Sequence, residues 1–259
     1  MRIAIAGKGG SGKTTLAGTL ARLLARRGQQ VIALDGDTNP NLAQALGIAA
    51  GTELVALPGD ILVRREDPNA DPPSELSMPV HEVLERYGTV GPDGVRLLVM
   101  GHVEHAGRGC KCRAHSVARY VIGDLLAYAN GEGAVVVDME AGLEHLSRGT
   151  TRYVDALLAV AEPYYRSMET ARRVYELAAE LGIDDVRLVA NKVRDPADSD
   201  ALRAYAERHG LAIAGEIPFD ELVLEADRRA EPLLDVAGAD APAVRAMERL
   251  ASTLLANGR

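Results

Sequence analysis

Tryptophan is absent from this sequence and phenylalanine occurs once, so aromatics make up only 3% of its 259 residues. Its core must therefore be packed from Val, Leu, Ile and Ala, which suits stacked layers of strand and helix. Cysteine is nearly as scarce. Two residues build no disulfide framework, and a reducing compartment is expected. No apolar run approaches the length of a membrane span. The N-terminal apolar stretch is cut short by a lysine-bearing glycine loop, so it is not expected to act as a signal peptide. Basic excess is missing too: 29 Lys and Arg against 37 Asp and Glu leave a net charge of −8 and a pI near 5.3. Neither nucleic acid nor an anionic membrane is then the expected partner. A cytoplasmic protein with no stable membrane association fits these limits, and the length suits one large α/β domain over residues 1–259.

Glycine, by contrast, is plentiful at 26 residues, and its densest run is Gly7-Lys8-Gly9-Gly10-Ser11-Gly12-Lys13-Thr14-Thr15. It lies between a short apolar strand at 2–6 and a helix-compatible run at 16–27. This is the G-x-x-x-x-G-K-[ST] pattern in the context it requires, strand before and helix after. Backbone N–H groups of such a loop turn around a di- or triphosphate, and the helix aims its positive end at the same point. Gly9, Gly10, Ser11, Gly12, Lys13, Thr14 and Thr15 are the expected nucleotide-binding residues. Lys13 neutralises the β- and γ-phosphates, and the Thr14 hydroxyl completes the shell of a Mg²⁺ ion.

Acids close the next apolar strands. Val31 to Leu34 stops at Asp35-Gly36-Asp37, and Ala134 to Val137 ends on Asp138. Carboxylates at the carboxyl ends of parallel strands sit where open α/β sheets place their ligands. Asp138 reads as the Walker B acid, holding Mg²⁺ directly or through water. Later strands are expected at 156–161, 186–190 and 211–217. The 186–190 strand delivers Asn191-Lys192-Val193-Arg194, in which the Asp of a guanine-reading N-K-x-D is replaced by Arg. ATP is thereby favoured over GTP. The Asn191 amide can donate to and accept from the adenine edge, and the Pro218-Phe219 turn could cover a face of the base. A last helix at about 242–256 gathers Val244, Met247, Leu250, Leu254 and Leu255, a face expected to pack in the core.

Between the apolar strand at 95–100 and a helix-compatible run at 115–128 lies a loop at about 101–115 that contains Cys110-Lys111-Cys112. Cysteines two apart on extended backbone project to one side, and Arg108, Lys111 and Arg113 favour their thiolates. Two thiolates half-fill a four-ligand site. A two-fold dimer supplies the other half, giving an inter-subunit site with Cys110 and Cys112 from each copy. His102, His105 and His115 could each replace or precede a thiolate. The stretch 51–79, rich in Pro and charge, reads as an irregular excursion.

The G-K-G-G-x-G-K-T-T loop, with Lys8 directly after its first glycine, resembles the deviant P-loop of the family that holds the nitrogenase iron protein, the Min and Par positioning ATPases and metal-insertion ATPases. The resemblance implies a mostly parallel sheet of about seven strands with helices on both faces, and a nucleotide-dependent homodimer. It implies that Lys8 reaches across that dimer, as an arginine finger would. Asp37, with Asp35 in switch I, is implied to orient the attacking water. Asp138 leads into Met139-Glu140-Ala141-Gly142, similar to switch II, where the Gly142 N–H reports the γ-phosphate. The C-x-C loop and D-M-x-A-G-x-E-H-L are narrower, and together with the P-loop they resemble the nickel-maturation ATPases of carbon monoxide dehydrogenase. That likeness implies nickel or zinc on the cysteines and a nickel-containing client. A Min- or Par-like positioning switch is the alternative, with a nucleotide-dependent carboxylate ligase a distant third.

Overall fold

The computed structural model describes residues 1–37, 40–67, 74–100, 117, 120–121, 133–140 and 154–257. In chain order the elements are β1 (Arg2–Gly7), α1 (Lys13–Arg26), β2 (Val31–Asp35), α2 (Leu42–Leu46), β3 (Ala56–Leu57), β4 (Leu62–Arg64), β5 (Ser74–Leu76), α3 (Val80–Tyr87), β6 (Thr89–Val90), β7 (Arg96–Met100) and β8 (Ala134–Asp138). They continue with β9 (Ala156–Ala161), α4 (Tyr165–Glu180), β10 (Val186–Val193), α5 (Pro196–His209), β11 (Ala212–Pro218), α6 (Glu221–Arg229), α7 (Leu233–Val236) and α8 (Pro242–Asn257).

Among the described residues, nine strands form the main sheet, eight of them in the order β11-β10-β9-β1-β8-β2-β7-β3 and the ninth, β6, on β7. Every pairing is parallel except β6 with β7. The expectation of about seven strands missed β3 and β6. Each has two residues, too few to show an alternating pattern. The excursion at 51–79 is correspondingly broken, holding β3 and the small antiparallel pair of β4 with β5.

Both faces of the sheet are buried, as a parallel sheet requires. Along β1, Ile3 and Ile5 pack into one core and Ala4 and Ala6 into the other. The first core includes Leu16, Leu20 and Leu24 of α1 with Val244, Met247, Leu250 and Leu254 of α8. The last helix therefore packs where its apolar face predicted. The opposite core takes Val83 of α3, Val174 of α4 and Leu202 of α5, with the helical residues Val117 and Val121. Local chemistry starts the later helices. Asp195 caps α5 by accepting from the Asp198 N–H, with Pro196 in the first turn, and Asp220 caps α6 by accepting from the Leu222 N–H. Parallel pairing brings the carboxyl ends of β1, β2, β8, β9 and β10 to one edge of the sheet, and the loops that leave them meet there.

Candidate functional site

At the end of β1, a Cβ on Gly7 would stand 2.5 Å from the Val160 carbonyl oxygen of β9, and its φ is 152°. Only glycine lets the strand pair and leave here. The chain then turns back, with the Ser11 N–H donating to the Lys8 carbonyl at 3.2 Å. Lys13 opens α1 and is 7% exposed. Its Nζ donates to that same Lys8 carbonyl at 3.3 Å. Burial lowers the Lys13 pKa even though Asp138 and Asp37 attract its charge. A lysine so placed gains from an anion, and the free N–H groups of the helix start offer the same guest a second attraction.

β2 and β8 run in register and set Asp35 directly beside Asp138. Both are buried. Asp35 accepts from the backbone N–H of Asp37 at 3.1 Å and of Leu42 at 2.9 Å, yet burial pushes its pKa up to about 6. Burial first, and then the nearby Asp35, push Asp138 up to about 7, against the Thr14 hydroxyl that donates to it and the Lys13 charge. Among the described residues, Asp138 Oδ1 has no hydrogen-bond partner. A buried carboxylate oxygen without a donor, next to a threonine hydroxyl, matches the oxygen ligands that Mg²⁺ prefers. Asp37 is half-buried two residues past Asp35.

A pocket of about 310 Å³ opens from the loop, with Gly12, Lys13 and Thr14 on one side and Asn191, Pro218 and Phe219 on another. The Asn191 amide donates to the Ser11 carbonyl at 2.7 Å, and its oxygen accepts from the Lys192 N–H at 2.9 Å. A Cβ on Gly12 would lie 2.4 Å from Asn191 Nδ2. The Arg194 guanidinium lies over the Phe219 ring, 4.6 Å from its centre, so that ring is already stacked on one side.

Residues 3–233 match the model of the CobQ/CobB/MinD/ParA nucleotide binding domain. The chain belongs to this family. It is 38% identical over 234 residues to the carbon monoxide dehydrogenase accessory protein CooC of Rhodospirillum rubrum, spanning 88% of this chain and 87% of the relative. An uncharacterized ATP-binding protein of Methanocaldococcus jannaschii is 36% identical over 257 residues, 96% of each chain. Among solved structures, the MinD cell division protein of Aquifex aeolicus superposes with a TM-score of 0.71 at 20% identity, covering 98% of this chain and 96% of that one. A ParA family ATPase from Chlorobium tepidum gives 0.70 at 20% identity, covering 98% of each.

In this member of the CobQ/CobB/MinD/ParA family, Gly10, Gly12, Lys13, Thr14 and Thr15 border one pocket, with Ser11 buried and Gly9 exposed in the same loop. Asp35, Asp37 and Asp138 gather at the sheet edge beside Lys13. Lys8 Nζ lies 5.6 Å from the centre of the Tyr164 ring of its own chain. Cys110, Cys112, Gly142 and the three loop histidines lie outside the described residues. Among the described residues, no helix is long and apolar enough to cross a membrane.

Lys192, which touches the loop, and Glu162, which holds Lys192, were missed from the sequence. Lys192 Nζ donates to the Gly10 carbonyl at 2.6 Å and pairs with Glu162 at 3.2 Å. The signal was the Asn-Lys dipeptide at a strand end, which drew attention only for the Asp that does not follow it.

Proposed function

We propose that this chain is a Mg²⁺-dependent ATPase that works as a homodimer and carries nickel or zinc toward a nickel enzyme resembling carbon monoxide dehydrogenase. The observation that carries the ATPase reading is the donorless Asp138 Oδ1, buried beside the Thr14 hydroxyl and Lys13. Support for maturation comes from the 38% identity to an accessory protein of that enzyme and from the Cys110-x-Cys112 pair.

Thr14 and Asp138 would hold Mg²⁺, which supplies positive charge to the phosphate oxygens. Loop N–H groups and Lys13 bind the β- and γ-phosphates. Asp37 orients a water in line with the γ-phosphorus. The bond from that phosphorus to the bridging oxygen breaks, its electron pair stays on ADP, the water oxygen forms the new bond to phosphorus, and the proton that the water loses passes to the Asp37 carboxylate. Lys8 from the second copy meets charge on the transferred oxygens, tying hydrolysis to dimerisation. The second N–H of Asn191 and the turn at Pro218-Phe219 serve the adenine.

The test is titration of nickel and zinc into wild type and a Cys110→Ser/Cys112→Ser double mutant, with dimerisation followed by light scattering. One ion per dimer, lost in the double mutant, is the expected result, and affinity should weaken as pH falls because thiolates must form. One ion per monomer, unchanged in the double mutant, would refute the shared site and point to His102, His105 and His115. ATP-dependent pelleting with lipid vesicles would favour a positioning switch instead.

A further inference from the structure

Asn191 and Lys192 are neighbours in sequence, yet both side chains reach the phosphate loop. Asn191 holds the Ser11 carbonyl at 2.7 Å and Lys192 holds the Gly10 carbonyl at 2.6 Å. On a regular strand, adjacent side chains point to opposite faces. Two local distortions of β10 remove that alternation. Pairing with β11 shifts register between Ala190 and Val193, and Lys192 has a φ of 60°. That left-handed conformation is strained for any residue with a Cβ, and glycine would adopt it freely. Lysine at such a place is informative, because the fold bears the strain while the side chain reaches a particular atom.

The atoms it reaches explain the arrangement. In a trans peptide the carbonyl and the N–H point in opposite directions. Holding the Gly10 carbonyl turns the Ser11 N–H toward Lys8, where the 3.2 Å bond is made. Holding the Ser11 carbonyl likewise turns the Gly12 N–H away from Asn191. Glu162 at the end of β9 fixes the lysine from its other side through the ion pair at 3.2 Å. Glu162 also accepts from the Tyr164 hydroxyl at 3.3 Å.

We propose that Lys192, anchored by Glu162, is a positioning residue for nucleotide binding: it sets the peptide planes of the phosphate loop without touching the phosphates. This rests on the nucleotide-binding reading of the same site. Because the clamp shapes the loop before the nucleotide arrives, it acts on affinity and leaves the chemical step alone.

A fluorescent ATP analogue with Mg²⁺, titrated into the full chain, tests it in wild type, Lys192→Gly, Lys192→Met and Lys192→Arg, with steady-state ATPase and the thermal midpoint of the nucleotide-free protein measured in parallel. Lys192→Gly and Lys192→Met should each weaken binding on the order of 10-fold, as expected for losing a charged hydrogen bond. The KM should rise with them, while kcat stays within about 3-fold of wild type. Lys192→Arg should recover most of the affinity. The thermal midpoint of Lys192→Gly should hold or rise, because the left-handed strain is relieved. Wild-type affinity in Lys192→Gly overturns the clamp while leaving the nucleotide reading standing. A fall in its thermal midpoint that parallels the loss of binding also overturns the clamp, since the residue would then be supporting the fold. If wild type itself binds no nucleotide, the nucleotide reading fails and the clamp fails with it.

Discussion

Helix α1 carries two buried cations in opposite company. Lys13, at its first turn, feels the charges of Asp138 and Asp37; burial raises the pKa of Asp138 and of its neighbour Asp35, and Asp35 adds to the rise at Asp138. Arg22, two turns on and 3% exposed, binds Asp93 through Nε at 2.7 Å and Asp235 through both terminal nitrogens at 3.0 and 2.8 Å. Burial works against the Arg22 charge, but the hydrogen bonds it donates to Asp235 and Asp93 outweigh that and raise the pKa. Arg22 is satisfied within the fold. The first group is not, for Asp138 Oδ1 lacks a donor among the described residues. Charges of both kinds are buried on one helix, and only the incompletely paired set is shaped for a ligand. The complete set joins α1 to α7 and to the turn before β7, and so fixes the helix that carries the loop.

Three experiments would break or sharpen this contrast. The largest effect is expected at the lysines of the loop. Lys13→Met should lower ATP affinity on the order of 10²-fold or more without reducing the stability of the ligand-free protein. Lys8→Ala should keep ATP affinity and lower kcat on the order of 10²-fold or more. Binding titrations, turnover and urea unfolding measure all three quantities. A Lys13→Met protein destabilised like an Arg22 variant would erase the distinction between the two clusters.

Next in size is Arg22→Met, which should cost about 2 kcal/mol of unfolding free energy. That is below the roughly 3–5 kcal/mol for breaking a fully buried pair, because Asp235 is 46% exposed and screened by water. Nucleotide affinity should change by less than about 3-fold. A larger loss of affinity with unchanged stability would place Arg22 in the site.

The smallest effect is in pH dependence, and its sign differs between the clusters. Asp35 and Asp138 are raised to about 6 and about 7. Their contribution to stability is fully present below the ordinary carboxylate pKa and is lost as pH rises through 6 and 7. For Asp93, burial acts to raise the pKa, but Arg22 and Arg26 hold it below the ordinary value. Its contribution is present above that value and lost as pH falls further. Urea unfolding of the nucleotide-free protein should therefore show more stability at pH 5 than at pH 8 from these two acids, with Asp35→Asn flattening the difference. An Asp35→Asn profile parallel to wild type would mean that the two carboxylates are not coupled.

Local pattern made much of the phosphate end legible. Gly7 to Thr15 between strand and helix, and acids closing apolar strands at Asp35 and Asp138, are arrangements a reader meets within a few residues of each other. Parallel pairing then brings them together. The clusters that depend on distant partners were not visible. Arg22 meets Asp93 and Asp235 across 71 and 213 positions, and nothing at 22 distinguishes a structural arginine from a solvated one. Lys192 was in view, but its role depends on a left-handed φ and a shift in strand register that side-chain identity does not announce. Helix α5 was passed over despite an available signal, the Asp195-Pro196 start with Asp198 three residues after the cap.

The contact between Gly12 and Asn191 also restricts the order in which this sequence can change. The two positions form one steric unit, since a Cβ at 12 meets the amide nitrogen of 191 at 2.4 Å. A smaller residue at 191 would clear that space. It would not admit a side chain at 12, because the φ of 94° there remains hostile to one. Drift is therefore one-directional: position 191 can be altered first and restored later, whereas position 12 stays glycine throughout, so descendants of this chain can vary what braces the loop while the loop itself stays as it is.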